Sequence, residues 1–74
     1  MTREEFLAGV RARLDWPDLG PETPLKGNEK WDSLAQVDVV MYVQDELGET
    51  LNTNQLQEAA TAGDLLALVS DRLG

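Results

Sequence analysis

Apolar residues recur at helical spacing in three stretches of this chain, at residues 2–14, 33–47 and 61–73. The second stretch is followed by Gly48, and glycine is the residue favoured in a left-handed C-terminal cap. The other two open with a capping box, in which an acidic residue follows a threonine by three positions: Thr2 with Glu5, and Thr61 with Asp64. The pattern therefore predicts three helices.

The connection between the first two helices, residues 15–30, is long for so small a chain. Prolines and glycines exclude regular structure from it: Pro17, Gly20, Pro21, Pro24 and Gly27. Loops of this length are usually functional or held in place by their own side chains. We expect packing by the four large apolar residues in or next to it: Trp16, Leu19, Leu25 and Trp31.

A short polar segment separates the second helix from the last one. Thr53 there is a candidate cap for a short helix from Asn54 to Ala60. No alternation of apolar and polar residues typical of strands competes with the helical pattern. We therefore expect one domain over residues 1–74 with an all-α fold, a four-helix bundle with a long loop between helices one and two and a short third helix.

The second helix is apolar on two opposite sides when its residues are placed at about 100° per residue. One side is the better filled and is the predicted core face: Val39, Val40, Val43 and Leu47. The other side, the apolar strip, consists of Leu34, Val37 and Met41 and is bordered by Asp38 and Asp45. An exposed strip of this kind favours a docking surface for a basic partner. Packing of the helix on both sides, or a homodimer contact, are the alternatives.

Composition excludes several kinds of function. The 74 residues include 14 acidic and six basic residues, a net charge of −8, so nucleic acids and anionic membranes would repel the chain. Histidine and cysteine are absent, which removes Ser-His-Asp catalysis and the usual metal ligands. We expect a non-catalytic chain without a metal site. The N-terminus lacks the order of a signal peptide, and the expected location is cytoplasmic.

Ser33 stands beside Asp32 at the start of the second helix, and two interpretations are open. In the first, Asp32 or Ser33 only caps the helix by accepting hydrogen bonds from its free amides. In the second, Ser33 is an attachment point for a group that another protein supplies. A phosphodiester at this position would lie near the helix amides, which favour an anion, and beside the apolar strip.

The run Asp32-Ser33-Leu34, followed in register by Val37, Asp38, Val40, Met41 and Asp45-Glu46, resembles the acyl carrier proteins, in which Asp-Ser-Leu opens the second of four helices. Length, acidity, the long first loop and the opening of the last helix fit the same family. The resemblance implies that Ser33 carries 4′-phosphopantetheine, transferred from coenzyme A by a magnesium-dependent phosphopantetheinyl transferase. The terminal thiol would hold an acyl or aminoacyl cargo as a thioester.

The resemblance also implies roles for the neighbouring residues. Asp32 would assist recognition by the transferase. Contacts to acyl- or aminoacyl-loading enzymes and to downstream synthases or transferases with basic docking patches would come from the partner-binding set: Leu34, Val37, Asp38, Met41 and Asp45. The approach Glu29-Lys30-Trp31 departs from the small residues common in the family, and Trp31 would tether the loop or shape the entry for a partner. A stand-alone carrier in fatty-acid, polyketide or other secondary-metabolite synthesis is the expectation, and an acidic adaptor with Ser33 as a mere cap is the alternative.

Overall fold

The computed structural model describes residues 1–73. This part of the chain contains four α-helices and a closing 3-10 turn, joined by loops. Their bounds are α1 Arg3–Leu14, α2 Ser33–Leu47, α3 Thr53–Glu58, α4 Ala62–Leu68 and the 3-10 turn Ser70–Arg72. Within this part of the chain the only β-type pairing is an isolated bridge between Pro24 and Thr61. The all-α prediction with a long first loop and a short third helix is confirmed.

The helices begin where side chains satisfy their free amides. At α1 the Thr2 hydroxyl accepts from the Glu5 amide at 3.1 Å, and the Glu5 carboxylate accepts from the Thr2 amide at 2.9 Å. These hydrogen bonds lower the pKa of Glu5. Before α4 the Asp64 carboxylate accepts from the Ala60 amide at 2.8 Å and from the Thr61 amide at 3.4 Å. Both predicted capping boxes therefore mark real helix starts.

Both predicted ends of α3 were wrong. Helix α3 is capped by Asn52 rather than Thr53, since the Asn52 side chain accepts from the Gln55 amide at 2.9 Å and Gln55 bonds back to the Asn52 amide. The helix ends at Glu58, two residues before the predicted end at Ala60.

The last helix was predicted to continue through residue 73, but α4 ends at Leu68. A tighter 3-10 turn follows, in which the Ser70 hydroxyl donates to the Ala67 carbonyl at 3.2 Å. This local hydrogen bond competes with continuation of the helix, because a serine hydroxyl offers the backbone an alternative partner.

The long loop is fixed by its own apolar residues, as predicted. All four are buried in the core: Trp16, Leu19, Leu25 and Trp31. One backbone hydrogen bond, from the Leu25 amide to the Ala60 carbonyl at 2.8 Å, ties the loop to the connection between α3 and α4. A second, from the Gly63 amide to the Pro21 carbonyl at 2.8 Å, ties it to the first turn of α4. These contacts hold the loop in place, and the loop therefore fixes the position of residue 32.

Helix α2 buries the predicted face. Val39 and Val43 are buried, and Val40 and Leu47 pack against the core while partly exposed. The prediction missed three further buried residues on this helix: Ala35, Gln36 and Tyr42. No helix in the described part of the chain has the length and the apolar character needed to cross a membrane.

Candidate functional site

Ser33 is the first residue of α2, and its neighbour Asp32 supplies the cap. Asp32 has an extended backbone, with φ −92° and ψ −177°, and its carboxylate accepts from the Ala35 amide at 2.9 Å. Ser33 itself is exposed. Of the two capping candidates, Asp32 or Ser33, the structure selects Asp32.

A hydrogen-bonded turn leads into this site. Gly27 has a φ of 81°, in the left-handed region that glycine adopts without strain. The Asn28 side chain then donates to the Pro24 carbonyl at 2.8 Å and accepts from the Lys30 amide at 2.9 Å. These local bonds hold the residues just before Asp32, so the start of α2 is set by the loop as well as by the helix.

Trp31 anchors the same approach to helix α3. It is buried, its amide donates to the Asn28 carbonyl at 3.0 Å, and its indole Nε1–H donates to the Leu56 carbonyl of α3 at 3.2 Å. The prediction that Trp31 tethers the loop is confirmed.

An open hollow of about 370 Å³ lies next to Ser33, between the end of α1 and the start of α2. Its lining is mainly charged: Arg13, Leu14, Asp15, Lys30, Asp32, Leu34, Ala35 and Asp38. The Lys30 ammonium also lies 5.5 Å from the centre of the Trp16 ring, a distance suited to a cation–π contact. Charged and apolar side chains thus lie side by side next to the serine.

The apolar strip lies on the surface of α2, immediately after the serine. The exposed fractions are 75% for Leu34, 45% for Val37 and 51% for Met41. These are the large exposed apolar residues of the described chain other than Met1. The position predicted for the strip is thus confirmed, and its role in docking stays a prediction.

One acidic residue beside the strip has a partner within the chain. The Arg13 guanidinium of α1 lies 3.4 Å from the Asp45 carboxylate and 5.4 Å from the centre of the Tyr42 ring. Sequence reasoning missed Arg13, since only the packing of α1 against α2 brings the two side chains together. Asp38, on the same border, lines the hollow beside Ser33.

The family model described as "Phosphopantetheine attachment site" matches residues 4–69, from α1 to the end of α4. The chain belongs to this family. Its members carry 4′-phosphopantetheine covalently, are generally non-catalytic, and act with a transferase and with biosynthetic enzymes. A search of curated proteins and a search of solved structures each gave no significant match. The protein is therefore a phosphopantetheine-bearing carrier of the acyl carrier type.

The start of α2 fits the group that this carrier family attaches. Ser33 offers an exposed hydroxyl, and the carboxylate of the neighbouring Asp32 is held at the N-cap by its hydrogen bond from the Ala35 amide. The free amides of a 15-residue helix favour an anion at this end. Lys30 lies on the adjoining hollow and adds a positive charge. When bound, the group supplies a terminal thiol, which this cysteine-free chain lacks.

Proposed function

We propose that Ser33 bears the phosphopantetheine and that this carrier holds acyl or aminoacyl intermediates as thioesters and presents them to partner enzymes. The observation that carries the proposal is the position of Ser33, exposed at the first turn of α2 and released from capping by Asp32. The chain has one other serine, Ser70, whose hydroxyl donates to the Ala67 carbonyl at 3.2 Å.

In the proposed loading reaction, the Ser33 Oγ forms a bond to phosphorus while the pyrophosphate bond of coenzyme A breaks. The adenosine bisphosphate half of coenzyme A leaves, and the hydroxyl proton passes to a base of the transferase. The carrier contributes position rather than catalysis to this step, since it contains no histidine. Asp32 holds the helix start in place, and its carboxylate is exposed for recognition by the transferase.

The proposed partner surface is the apolar strip with its acidic border. Leu34, Val37 and Met41 provide exposed contact area beside the attachment point, and methionine adapts to partners of different shape. Asp38 and Asp45 would attract basic patches on the loading enzyme and on downstream synthases or transferases. A carrier that visits several enzymes needs such a surface next to its cargo.

Incubation with coenzyme A, magnesium and a broad-specificity phosphopantetheinyl transferase tests the proposal by intact mass. We expect a gain of one phosphopantetheine per chain. A known carrier serves as the positive control for the transferase. If this chain gains no mass while the control is loaded, and a target protein binds the apolar strip, the adaptor hypothesis is favoured instead.

Charge changes beside the strip are expected to alter the rate of partner association in opposite directions. Asp38→Asn with Asp45→Asn removes two attractive charges and should slow association with a basic partner enzyme at low salt. Arg13→Gln removes the cation that pairs with Asp45 and should speed it. Stopped-flow measurement over a series of salt concentrations checks both effects.

The salt dependence of the association rate provides the control for these variants. Steering between exposed charges is screened within about 10 Å at 0.1 M salt, so the three rates should converge as salt is raised. Equal rates for the parent and both variants at low salt would refute steering by this acidic border.

A further inference from the structure

The Trp31 side chain lies two positions before Ser33 and is only 6% exposed. Its indole reaches from the start of α2 to α3, where Nε1–H donates to the Leu56 carbonyl at 3.2 Å. Leu56 is fully buried, so the hydrogen bond lies in the interior. The largest side chain near the attachment point thus occupies the interior between these two helices.

This hydrogen bond also satisfies a helix end. Helix α3 has six residues, and the last carbonyls of a helix lack partners within the helix. The Leu56 carbonyl accepts from the Ala59 amide at 3.2 Å as well as from the indole. Displacing Trp31 would therefore expose its ring and remove one donor from a buried carbonyl, which are both unfavourable.

We propose that Trp31 keeps the cargo outside the bundle, and that this carrier suits acyl groups that are short or polar enough to remain in water. The inference rests on the proposed attachment at Ser33. A hydrocarbon cargo could leave water by entering the interior beneath the start of α2, but the indole already fills that space. Close-packed interiors do not accept an additional group without displacing one that is present.

The hollow next to Ser33 is lined by charged as well as apolar side chains. Five of the eight residues that line the adjoining hollow are charged: Arg13, Asp15, Lys30, Asp32 and Asp38. A long alkyl chain in this hollow would separate these charges from water, whereas a short or polar group would leave them hydrated. A long alkyl chain would thus be less favourable in the hollow than in an apolar interior.

Loading with acetyl and octanoyl groups tests the proposal. The transferase would transfer acetyl- or octanoyl-phosphopantetheine from the corresponding coenzyme A thioester, with loading confirmed by intact mass. Thermal unfolding of each loaded form then reports burial of the alkyl chain, because buried methylenes stabilise the folded state. For the parent we expect equal unfolding midpoints. For Trp31→Leu we expect the octanoyl form to unfold on the order of 10 °C above the acetyl form.

Comparison within each variant removes the loss of stability that the substitution itself causes. Trp16→Leu is the matched control, since it removes the same side chain from another buried position of the first loop, and its two loaded forms should unfold at the same temperature. If Trp31→Leu does not fold, amide chemical shifts of the parent decide. Equal shifts at Ala35, Val39 and Leu56 in the two loaded forms are then the expected result.

Four results would overturn the inference. If the octanoyl form of the parent unfolds at a higher temperature than the acetyl form, the proposal is contradicted. A difference between the two forms in the chemical shifts of the interior amides contradicts it as well. Equal midpoints for the two loaded forms of a folded Trp31→Leu would show that this residue does not exclude the cargo. A rise in Trp16→Leu as large as in Trp31→Leu would do the same. Failure of the parent to gain mass is a separate result and contradicts the proposed attachment instead.

Discussion

Ser33→Ala is expected to abolish the gain of phosphopantetheine completely while leaving the fold intact. The substitution removes the hydroxyl that accepts the phosphorus, and Asp32 continues to cap α2 through its hydrogen bond from the Ala35 amide. The free energy of unfolding should change by less than about 0.5 kcal/mol, as is usual for an exposed position. Intact mass after incubation with the transferase, together with urea unfolding, checks both expectations.

Two variants serve as controls for this result. Ser70→Ala removes the other serine hydroxyl of the chain and should leave loading unchanged. Asp32→Ala should cost about 1 kcal/mol of stability, because it removes the N-cap of α2. A Ser33→Ala variant that still gained one phosphopantetheine would contradict the assignment. Loss of about 1 kcal/mol in Ser33→Ala with no loss in Asp32→Ala would contradict the capping geometry.

Gly9→Ala is expected to destabilise the protein by roughly 2 kcal/mol, as is typical when a packed interface is overfilled. A Cβ at this position of α1 would overlap the hydroxyl oxygen and the Cζ atom of Tyr42. The ring is buried, and it contacts Phe6 on one side with ring centres 5.6 Å apart. Movement of the Tyr42 ring away from the new Cβ would disturb its packing against Phe6 and against the stacked Arg13. The cost of the clash therefore exceeds the gain in helix propensity from glycine to alanine, which is about 1 kcal/mol.

The unfolding midpoint in urea measures this effect. Gly20→Ala is the matched control, because the nearest atom to its new Cβ is the Thr23 hydroxyl oxygen at 4.0 Å, and its stability should stay within about 0.5 kcal/mol of the parent. Tyr42→Leu should restore part of the stability lost in Gly9→Ala, since it removes the atoms that overlap. Equal stabilities of Gly9→Ala and the parent would show that α1 and α2 are less closely packed than described.

Burial raises the pKa of Tyr42, with a further contribution from Glu46 that the Arg13 guanidinium opposes. The phenol therefore stays neutral at physiological pH and presents Gly9 with a hydroxyl rather than a charge. The contact between α1 and α2 thus depends on shape, and Arg13 connects it to the acidic border of the apolar strip.

Local patterns in the sequence were sufficient to predict where the candidate site begins. Capping residues predicted where α1 and α2 begin, and Gly48 predicted where α2 ends, because these ends are decided by hydrogen bonds within a few residues. The period of the apolar residues separated Val39 and Val43, which are buried, from Leu34 and Met41, which are exposed. The candidate site could therefore be placed before the packing was known.

Features that depend on two distant segments could not be predicted in this way. The contact of Gly9 with Tyr42, and the ion pair of Arg13 with Asp45, exist only once α1 lies against α2. Tyr42 has a polar end, so its burial was not evident from the apolar pattern alone. The hydrogen bond of Trp31 to α3 joins residues that are 25 positions apart in the sequence, so only the fold shows that the loop is attached to α3.

The central claim is that Ser33 carries the phosphopantetheine, and the position of the added group on the wild-type chain tests it most directly. After incubation with coenzyme A, magnesium and the transferase, fragmentation of the loaded protein in a mass spectrometer assigns the added mass to a residue. We expect one phosphopantetheine on Ser33 and none elsewhere. The same mass on Ser70 or on a threonine would contradict the assignment, as would an unmodified chain beside a fully loaded control carrier.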